Sequence, residues 1–320
     1  MTSALLVGLG EVGLGYDLDL PAEGYVLTHA RALSAHPAFE LLAGVDPDEE
    51  RRALFTSHYR RPVFADMAHA FEEVSPELVV IAGPTRLHAK LLQQLVARGG
   101  IRAILCEKPL SYDLDEARGM VQACENAGIR LYVNYMRRSD PGVIRVKAWI
   151  DAGRIAAPFK GVAWYSKGFL NNGTHIFNLL AYWLGPMQRF DIIDAGRTWS
   201  HGDPEPDVRV RFAQGSVNFL AAREESFSHY TVELIASNGR LRYEQGGESI
   251  EWQGVQDDPH FPGYRTLAPV PEQIPTQMTR YQWNVTNELA AALEGRPHHL
   301  CPATDALATL AACRKIVESR

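Results

Sequence analysis

Three glycines near the start of the chain have the spacing of a phosphate-binding turn. Gly8, Gly10 and Gly13 directly follow an apolar segment and enclose Glu11 and Val12, which gives the pattern G-x-G-x-x-G. The first glycine permits a tight bend, the second lets the backbone approach a pyrophosphate, and the third allows close packing of a helix on a strand. The pattern predicts a dinucleotide site at Gly8, Gly10, Glu11 and Val12. The alternative is a turn that only needs permissive dihedrals.

An acidic residue follows the second apolar segment. Asp46 stands where a carboxylate can accept hydrogen bonds from the hydroxyls of an adenosine ribose. It lies further from the glycines than the usual spacing of about 20 residues, so we interpret Leu14–Leu27 as an insertion before the first helix. The acidic residues after Asp46 disfavour a 2′-phosphate, which predicts NAD over NADP, although Arg51 or Arg52 could weaken that preference. Asp46 could instead only cap the next helix.

A charged triplet ends the fourth apolar segment. Glu107, Lys108 and Pro109 directly follow Ala103–Cys106. Residues at the carboxyl end of a strand in an open α/β sheet point into the ligand crevice, which is where we expect the lysine. The alternative is a solvated surface lysine, and the adjacent apolar strand disfavours it.

The glycine pattern and five further segments together resemble one family. They are His29–Leu33, Gly83–His88, Glu107–Pro109, Asn134–Arg138 and Gly173–His175. On these segments the chain is similar, over nearly its whole length, to the Gfo/Idh/MocA family, named after glucose-fructose oxidoreductase, inositol dehydrogenase and rhizopine catabolism. The resemblance implies an enzyme that transfers a hydride between NAD and a hydroxyl or keto carbon of a sugar, sugar nucleotide or cyclitol.

The resemblance also implies roles for individual residues. Lys108 lies beside the nicotinamide and the substrate, and His175 is the general acid/base. Hydride transfer requires a proton to leave or join the substrate oxygen, which a side chain titrating near neutrality does well, and an ammonium stabilises a developing alkoxide. The other expected contacts are the cofactor-binding residues Pro84, Thr85, His88 and Glu107 and the substrate-binding residues Tyr16, Tyr135, Arg137, Asn171, Thr174 and Asn178.

Two positions near His175 depart from the family pattern. Where the family commonly has aspartate, this chain has Asn171 and Asn178, which keep hydrogen-bonding capacity without charge. The chain could therefore be an ordinary dehydrogenase with altered substrate preference or a weakened one. An NAD-binding sensor without chemistry, and an NAD-assisted hydrolase or epimerase on the same fold, are the alternatives.

The position of His175 suggests its charge state. It falls in the first turn of an expected helix over Thr174–Leu184, where the helix dipole opposes a positive charge, so we hypothesise a neutral imidazole at pH 7. The alternative is a histidine that merely packs or hydrogen-bonds in the core.

Apolar periodicity predicts the elements that position these residues. Short apolar runs alternate with amphipathic stretches over the first 135 residues, which is typical of β-α-β units in a doubly wound parallel sheet. The predicted strands are Ala4–Val7, Glu40–Val45, Leu78–Ala82, Ala103–Cys106 and Arg130–Val133. The predicted helices are Thr28–Ala35, Glu49–Ser57, Met67–Glu73, Leu87–Arg98 and Leu114–Ala127, the last with Asp113 as N-cap.

After residue 140 the pattern changes to strands with few helices. The predicted strands are Phe159–Tyr165, Val208–Phe212, Val217–Ala221, Tyr230–Ala236 and Leu241–Tyr243, and the further helices are Pro141–Ala152, Tyr281–Leu293 and Ala303–Ser319. Asn238 and Gly239 predict a hairpin turn because both residues tolerate positive φ, and Gly254–Pro275 is expected to form loops. We therefore expect an α/β protein with a Rossmann domain at 1–135 and an α+β substrate-binding and oligomerisation domain with an open, largely antiparallel sheet at 136–320.

Composition limits the classes of partner. A formal net charge of −6 disfavours a nucleic-acid surface, and no apolar run approaches the roughly 20 residues that span a bilayer. Four scattered cysteines without a C-x-x-C pair indicate reduced thiols, and the cluster His298, His299 and Cys301 is a poor metal half-site. We expect a cytoplasmic enzyme without metal, nucleic-acid or membrane partners. It should assemble as a homodimer or homotetramer through its second domain, because an open sheet face usually finds a partner.

Overall fold

The computed structural model describes residues 1–320 apart from the side chain of His201. The strands are β1 (Thr2–Val7), β2 (Phe39–Val45), β3 (Val63–Phe64), β4 (Leu78–Ile81), β5 (Ala103–Cys106), β6 (Arg130–Val133), β7 (Phe159–Tyr165), β8 (Met187–Thr198), β9 (Pro204–Phe212), β10 (Gly215–Ala221), β11 (Tyr230–Ala236), β12 (Gly239–Glu244), β13 (Ser249–Asp257), β14 (Arg265–Leu267), β15 (Glu272–Gln273) and β16 (Cys301–Pro302). The α-helices are α1 (His29–Ala35), α2 (Glu49–Tyr59), α3 (Met67–Glu73), α4 (His88–Arg98), α5 (Leu114–Asn126), α6 (Pro141–Asp151), α7 (Thr174–Leu184), α8 (Tyr281–Leu293) and α9 (Ala303–Glu318).

The chain divides into two compact units. The first comprises Met1–Ser139 with Thr279–Leu307, and the second comprises Asp140–Met278 with Ala308–Arg320. The division expected from the sequence, 1–135 and 136–320, differs mainly in residues 279–307. These residues belong to the first unit because α8 packs on α1 and β16 pairs with β6.

The first unit is built around a sheet in the order β16-β6-β5-β4-β1-β2-β3. Strands β1 to β6 run parallel, and only the two-residue β16 is antiparallel to its neighbour. The central strands are almost entirely apolar and buried, as expected for a parallel sheet with both faces covered. The predicted Rossmann sheet is confirmed, and the Asp113 carboxylate caps α5 by accepting the Glu116 N–H at 2.7 Å.

The second unit contains a larger sheet in the order β14-β13-β12-β11-β7-β10-β9-β8, with β15 beside β13. Its pairs are antiparallel except for β7 and β10, which run parallel. Helices α6 and α7 contribute Val143, Val146, Phe177 and Trp183 to a buried core with the inward residues of these strands. The predicted α+β class with a largely antiparallel sheet is confirmed.

Parts of the second sheet differ from the sequence prediction. The 12-residue β8 was not predicted, because it is a mostly exposed outer strand without clear alternation of apolar residues. The expectation of loops over Gly254–Pro275 was wrong in part, since this range holds the end of β13 and the short strands β14 and β15.

The hairpin between β11 and β12 forms for a different reason than expected. Ala236 pairs with Gly239, so the turn residues are Ser237 and Asn238, and the expectation of positive φ was wrong because neither adopts it. The Asn238 side chain accepts the Ala156 N–H at 2.9 Å and donates to a backbone carbonyl. A Cβ on Gly239 would lie 2.4 Å from the Trp252 ring. Close packing therefore explains this glycine.

Candidate active site

The glycine turn connects β1 to a cavity at the carboxyl ends of the strands. The cavity measures about 730 Å³ and is lined by the predicted residues Gly8, Gly10, Glu11, Val12, Asp46 and Pro84. It lies where the order changes direction between β4, β1 and β2, the place where open α/β sheets bind ligands. Gly8 has φ +100, a conformation that side chains other than glycine rarely adopt. The turn therefore requires glycine.

The segment after the glycine turn leaves and rejoins a helical path. The Leu14 N–H bonds to the Gly10 carbonyl, whereas the His29 and Ala30 N–H groups bond to the carbonyls of residues 12 and 13. Helix α1 therefore bonds back to the glycine turn across residues 14–27, an arrangement consistent with the interpretation of these residues as an insertion.

A buried carboxylate fixes the return point of the insertion. Asp17 accepts the Leu27 N–H at 2.6 Å and the Thr28 N–H and hydroxyl at 3.0 and 2.8 Å. Thr28 in turn is the N-cap of α1 and accepts the Arg31 N–H. Tyr16, predicted to bind substrate, is exposed and lines the cavity at the glycine turn. The insertion thus contributes a wall to the cavity.

Asp46 connects the end of β2 to the glycine turn. Its carboxylate accepts the Leu9 N–H at 2.7 Å and the Asp48 N–H at 2.9 Å. It does not cap α2, because Asp48 does so by accepting the N–H groups of Glu50 and Arg51. The alternative role as a cap is wrong, and the carboxylate keeps free lone pairs that can face a ribose in the cavity.

Several residues of the cavity were not predicted from the sequence. They include Asp66 before α3, Arg86 in the 3₁₀ turn before α4, and Lys90 and Gln94 of α4, together with Arg51 of α2, which was considered only for cofactor preference. A Cβ on Gly10 would lie 3.1 Å from Arg51 Nη1. A pyrophosphate requires an accessible backbone, as at Gly10, and nearby positive charge. An adenosine ribose requires a carboxylate at the end of β2. These residues therefore fit NAD.

His88 and Thr85 belong to the segment that follows β4. His88 is fully buried, and its ring nitrogens face the carbonyls of Gly83 at 3.0 Å and of Pro109 at 3.2 Å. It therefore joins the segment after β4 to the one after β5, and its expected cofactor contact stays a prediction. Thr85 opens the 3₁₀ turn that precedes α4, next to Pro84 in the cavity wall.

Glu107 is the centre of a buried polar network. One of its carboxylate oxygens lies 2.7 Å from His29 Nε2 and accepts the Asn134 amide at 2.6 Å. The same amide lies 3.2 Å from Gln282 Oε1 of α8. Burial would raise the pKa of Glu107, but the hydrogen bond and charge of His29, the Asn134 amide and the Lys108 charge together hold the pKa below its ordinary value. The carboxylate thus fixes the backbone next to Lys108.

We predict that Glu107→Gln destabilises the protein most at neutral pH. A lowered pKa in the folded state means that the ionised carboxylate stabilises the fold above pH 4.5, its ordinary value, and that this contribution is lost as the pH falls through the lowered pKa. Thermal unfolding is measured from pH 7 to pH 4. At pH 7 the free energy of unfolding of the variant should be about 1.5–3 kcal/mol below that of the wild type, and this difference should shrink below pH 4.5. Glu77→Gln, which breaks an exposed ion pair with Arg102, should cost less than about 1 kcal/mol. A loss for Glu107→Gln that is independent of pH would contradict the prediction.

Lys108 is the second residue after β5 and is half-buried. The peptide bond to Pro109 is cis. Tyr135 is 4% exposed, and Arg137 lies half-buried in the 3₁₀ turn Met136–Ser139. Both follow β6, so the parallel sheet places them at the same edge as the Lys108 segment.

In the second unit, His175 lies near the start of α7 and is 7% exposed. Helix α7 is not preceded by a loop, because a π-helical segment over Gly168–Gly173 runs directly into it. The predicted place of His175 in the first turn of α7 is confirmed, although this turn is not a free helix end because the π-helical segment precedes it. The neutral imidazole stays a hypothesis.

The three polar residues expected to bind substrate beside His175 differ in exposure. Asn171 is exposed, whereas Thr174 and Asn178 are buried. The Thr174 hydroxyl donates to the Asn171 carbonyl at 2.7 Å, and the Asn178 amide donates to the Thr309 hydroxyl at 2.9 Å. Asn171 is thus the best placed of the three to meet a ligand. Among the described residues, no group of three or more His, Cys, Asp or Glu side chains could hold a metal ion.

Comparison with known proteins decides the family. The family model Gfo/Idh/MocA, an oxidoreductase family with an NAD-binding Rossmann fold, matches residues 23–135. An inositol 2-dehydrogenase of Rubrobacter xylanophilus is 31% identical over 269 residues, which cover 80% of this chain and 72% of that protein. The chain belongs to the Gfo/Idh/MocA family.

A further relative and a solved structure extend the comparison. A D-apiose dehydrogenase of Paraburkholderia graminis is 32% identical over 66% of this chain and 52% of its own length. The crystal structure of an NAD-binding oxidoreductase from Klebsiella pneumoniae superposes with a TM-score of 0.80 at 16% identity, covering 100% of this chain and 97% of that one. The predictions of a Gfo/Idh/MocA fold and of an NAD-binding oxidoreductase are confirmed. Among the described residues, no helix is long and apolar enough to cross a bilayer.

Proposed function

We propose that this protein oxidises a secondary hydroxyl of a cyclitol or sugar, or reduces the corresponding ketone, with NAD as hydride acceptor or donor. The observation that carries the proposal is the cavity at the glycine turn, lined by Gly10 and Asp46, in a chain similar to an inositol and an apiose dehydrogenase. Both names describe polyols, whose hydroxyls suit a site rich in hydrogen-bonding side chains. The cytoplasmic location and the homo-oligomer stay predictions.

Two side chains are proposed to handle the proton and the charge. NAD, when bound, accepts or donates the hydride. The Lys108 ammonium stabilises negative charge on the substrate oxygen, and its position two residues after β5, beside the anchored Glu107, supports this role. The His175 imidazole takes the hydroxyl proton during oxidation and returns it during reduction. Tyr135, Arg137 and Asn171 are proposed to orient the polyol.

We propose NAD as the preferred cofactor over NADP. Asp46, Asp48 and Asp66 all line the cavity, and a 2′-phosphate would meet these charges with Arg51 as a nearby cation. Asp46→Ser should therefore shift the ratio of kcat/KM for NADP to that for NAD upward by about tenfold or more, the equivalent of about 1.4 kcal/mol. Arg51→Ala in the same background should remove the gain. An unchanged ratio in Asp46→Ser would contradict this assignment.

The test of the proposed function is turnover with a substrate panel. Absorbance at 340 nm is followed with NAD and a set of inositols, other polyols, sugars and uronates, for the wild type and for Lys108→Ala. Turnover on a cyclitol or sugar that disappears in the variant supports the proposal. Tight NAD binding without turnover on any member of the panel contradicts it and favours a sensor that binds NAD without chemistry.

A further inference from the structure

Two carboxylates near the start of β9 accept hydrogen bonds from the backbone of the segment that leads into α7. Asp203 accepts the Leu170 and Asn171 N–H groups, both at 2.9 Å, and Glu205 accepts the Gly168 N–H at 3.0 Å. Within the π-helical segment Gly168–Gly173, three of the first four N–H groups therefore bond to acidic side chains that lie more than 30 residues later in the chain. These bonds do for the segment what an N-cap does for an ordinary helix.

The segment needs such an anchor because it has none of its own. The residue before α7, Gly173, offers no side-chain cap, and Lys167 before the π-helical segment offers none either. Lys167 and Gly168 both have positive φ, at 65° and 81°. Two successive left-handed residues, one of them a lysine, are held only when their surroundings fix them.

The fit between the segment and Asp203 is close. A Cβ added to Gly168 would lie 2.0 Å from Asp203 Oδ2 and 2.3 Å from its Cγ. Gly168 is therefore required twice, once for its dihedral angle and once for the approach of this carboxylate. Thr174 closes the segment from the other side, since its hydroxyl donates to the Asn171 carbonyl at 2.7 Å.

Of the two carboxylates, Glu205 has an arginine partner among the described contacts and Asp203 does not. Glu205 is 1% exposed and accepts Arg197 Nε at 2.7 Å, while the same guanidinium also binds Glu225. Asp203 has no arginine of this kind among its described contacts. Burial and the Glu205 charge raise the pKa of Asp203 above its ordinary value, although the backbone N–H groups that bond to it act in the opposite direction. The helical segment itself is thus the principal partner of the Asp203 charge.

We propose that Asp203 and Glu205 are positioning residues that set the orientation of His175 by anchoring the helical segment on which it lies. The proposal rests on the role of His175 in the proposed function. Residue 171 is an asparagine in this chain, so its side chain carries no charge. The Asp203 carboxylate nevertheless lies against the backbone of that residue. Because the π-helical segment and α7 are continuous, a loosened N-terminal anchor changes the direction of the first turn of α7, and a small displacement of an acid/base group lowers the rate strongly.

The first test compares two carboxylates close together near the start of β9. Asp203→Asn keeps the shape but turns an N–H donor toward one of the two backbone donors, so kcat for the polyol substrate should fall at least tenfold, while the Kd for NADH, measured by fluorescence, stays within twofold. Asp207→Asn is the control, since Asp207 accepts the Ala221 N–H of β10 at 2.8 Å and none of the described hydrogen bonds joins it to the helical segment, and its kcat should stay within twofold of wild type. A kcat for Asp203→Asn within twofold of wild type, or an equal fall in both variants, would overturn the proposal.

A second measurement does not depend on turnover. Amide hydrogen exchange at Leu170 and Asn171 should accelerate at least tenfold in Asp203→Asn and remain unchanged in Asp207→Asn. Gly168→Ala should raise exchange at the same amides, and adding it to Asp203→Asn should add little, because both changes undo one contact. Accelerated exchange with an inactive wild type would leave the anchor standing and reject the proposed function. Unchanged exchange in Asp203→Asn would reject the anchor itself, whatever the activity of the wild type.

Discussion

Lys108→Met is expected to lower kcat on the order of 10²–10³-fold, the usual cost of removing one group that stabilises an oxyanion. Methionine keeps the length and apolar stem of lysine but cannot stabilise charge on the substrate oxygen. Lys108 follows the fully buried strand β5, and the network around Glu107 fixes the residue before it. The unfolding temperature of the variant should therefore stay close to that of the wild type. Single-turnover measurements at 340 nm with saturating NAD would isolate the chemical step.

The control for this experiment is Lys315→Met, which removes an exposed lysine of α9 and should leave kcat unchanged. His175→Gln provides the complementary test, with an expected loss on the order of 10²–10⁴-fold. Its residual rate should lose the rise with pH that a titrating base produces. A Lys108→Met variant that retains more than about a third of wild-type kcat would show that the lysine does not stabilise the reacting oxygen.

The strands and helices were predictable where burial enforces a simple pattern. Helices α3, α7 and α8 begin and end at the predicted residues because apolar spacing and flanking Gly, Pro or capping residues agree there. The two-residue strands β3 and β16 and the exposed β8 carry no such signal, since their pairing depends on neighbours distant in sequence. The place of α8 in the first unit is likewise a consequence of tertiary packing.

The site was predictable as a set of residue types but not as a set of contacts. The glycine pattern and Asp46 led directly to the cavity, because their function requires a fixed relation to strand ends. Glu107 and His88 were expected at the cofactor, yet their partners are protein atoms. Asp203 and Gln282 were missed because their partners lie more than 30 residues away in the chain. A carboxylate that accepts backbone N–H groups from a distant part of the chain leaves no pattern in a single sequence.

Gly10→Ala is expected to weaken NADH binding at least tenfold while leaving the fold intact, whereas Gly13→Ala should damage the fold. A Cβ on Gly13 would lie 2.1 Å from the Gly8 carbonyl oxygen, which cannot move without breaking the turn. Such overpacking costs about 1–3 kcal/mol, which corresponds to a fall in unfolding temperature of about 2–12 °C for a unit of this size. A Cβ on Gly10 meets only the end of the flexible Arg51 side chain.

The two glycines thus separate binding from folding. In Gly10→Ala the new methyl group occupies the space over which a pyrophosphate must approach the backbone, so the loss should appear in the Kd for NADH measured by fluorescence, with an unfolding temperature within about 2 °C of wild type. In Gly13→Ala the unfolding temperature should fall even without cofactor. If Gly10→Ala bound NADH as tightly as the wild type, the pyrophosphate would have to lie elsewhere than at this turn, and the positions proposed for the reacting groups would lose their reference point.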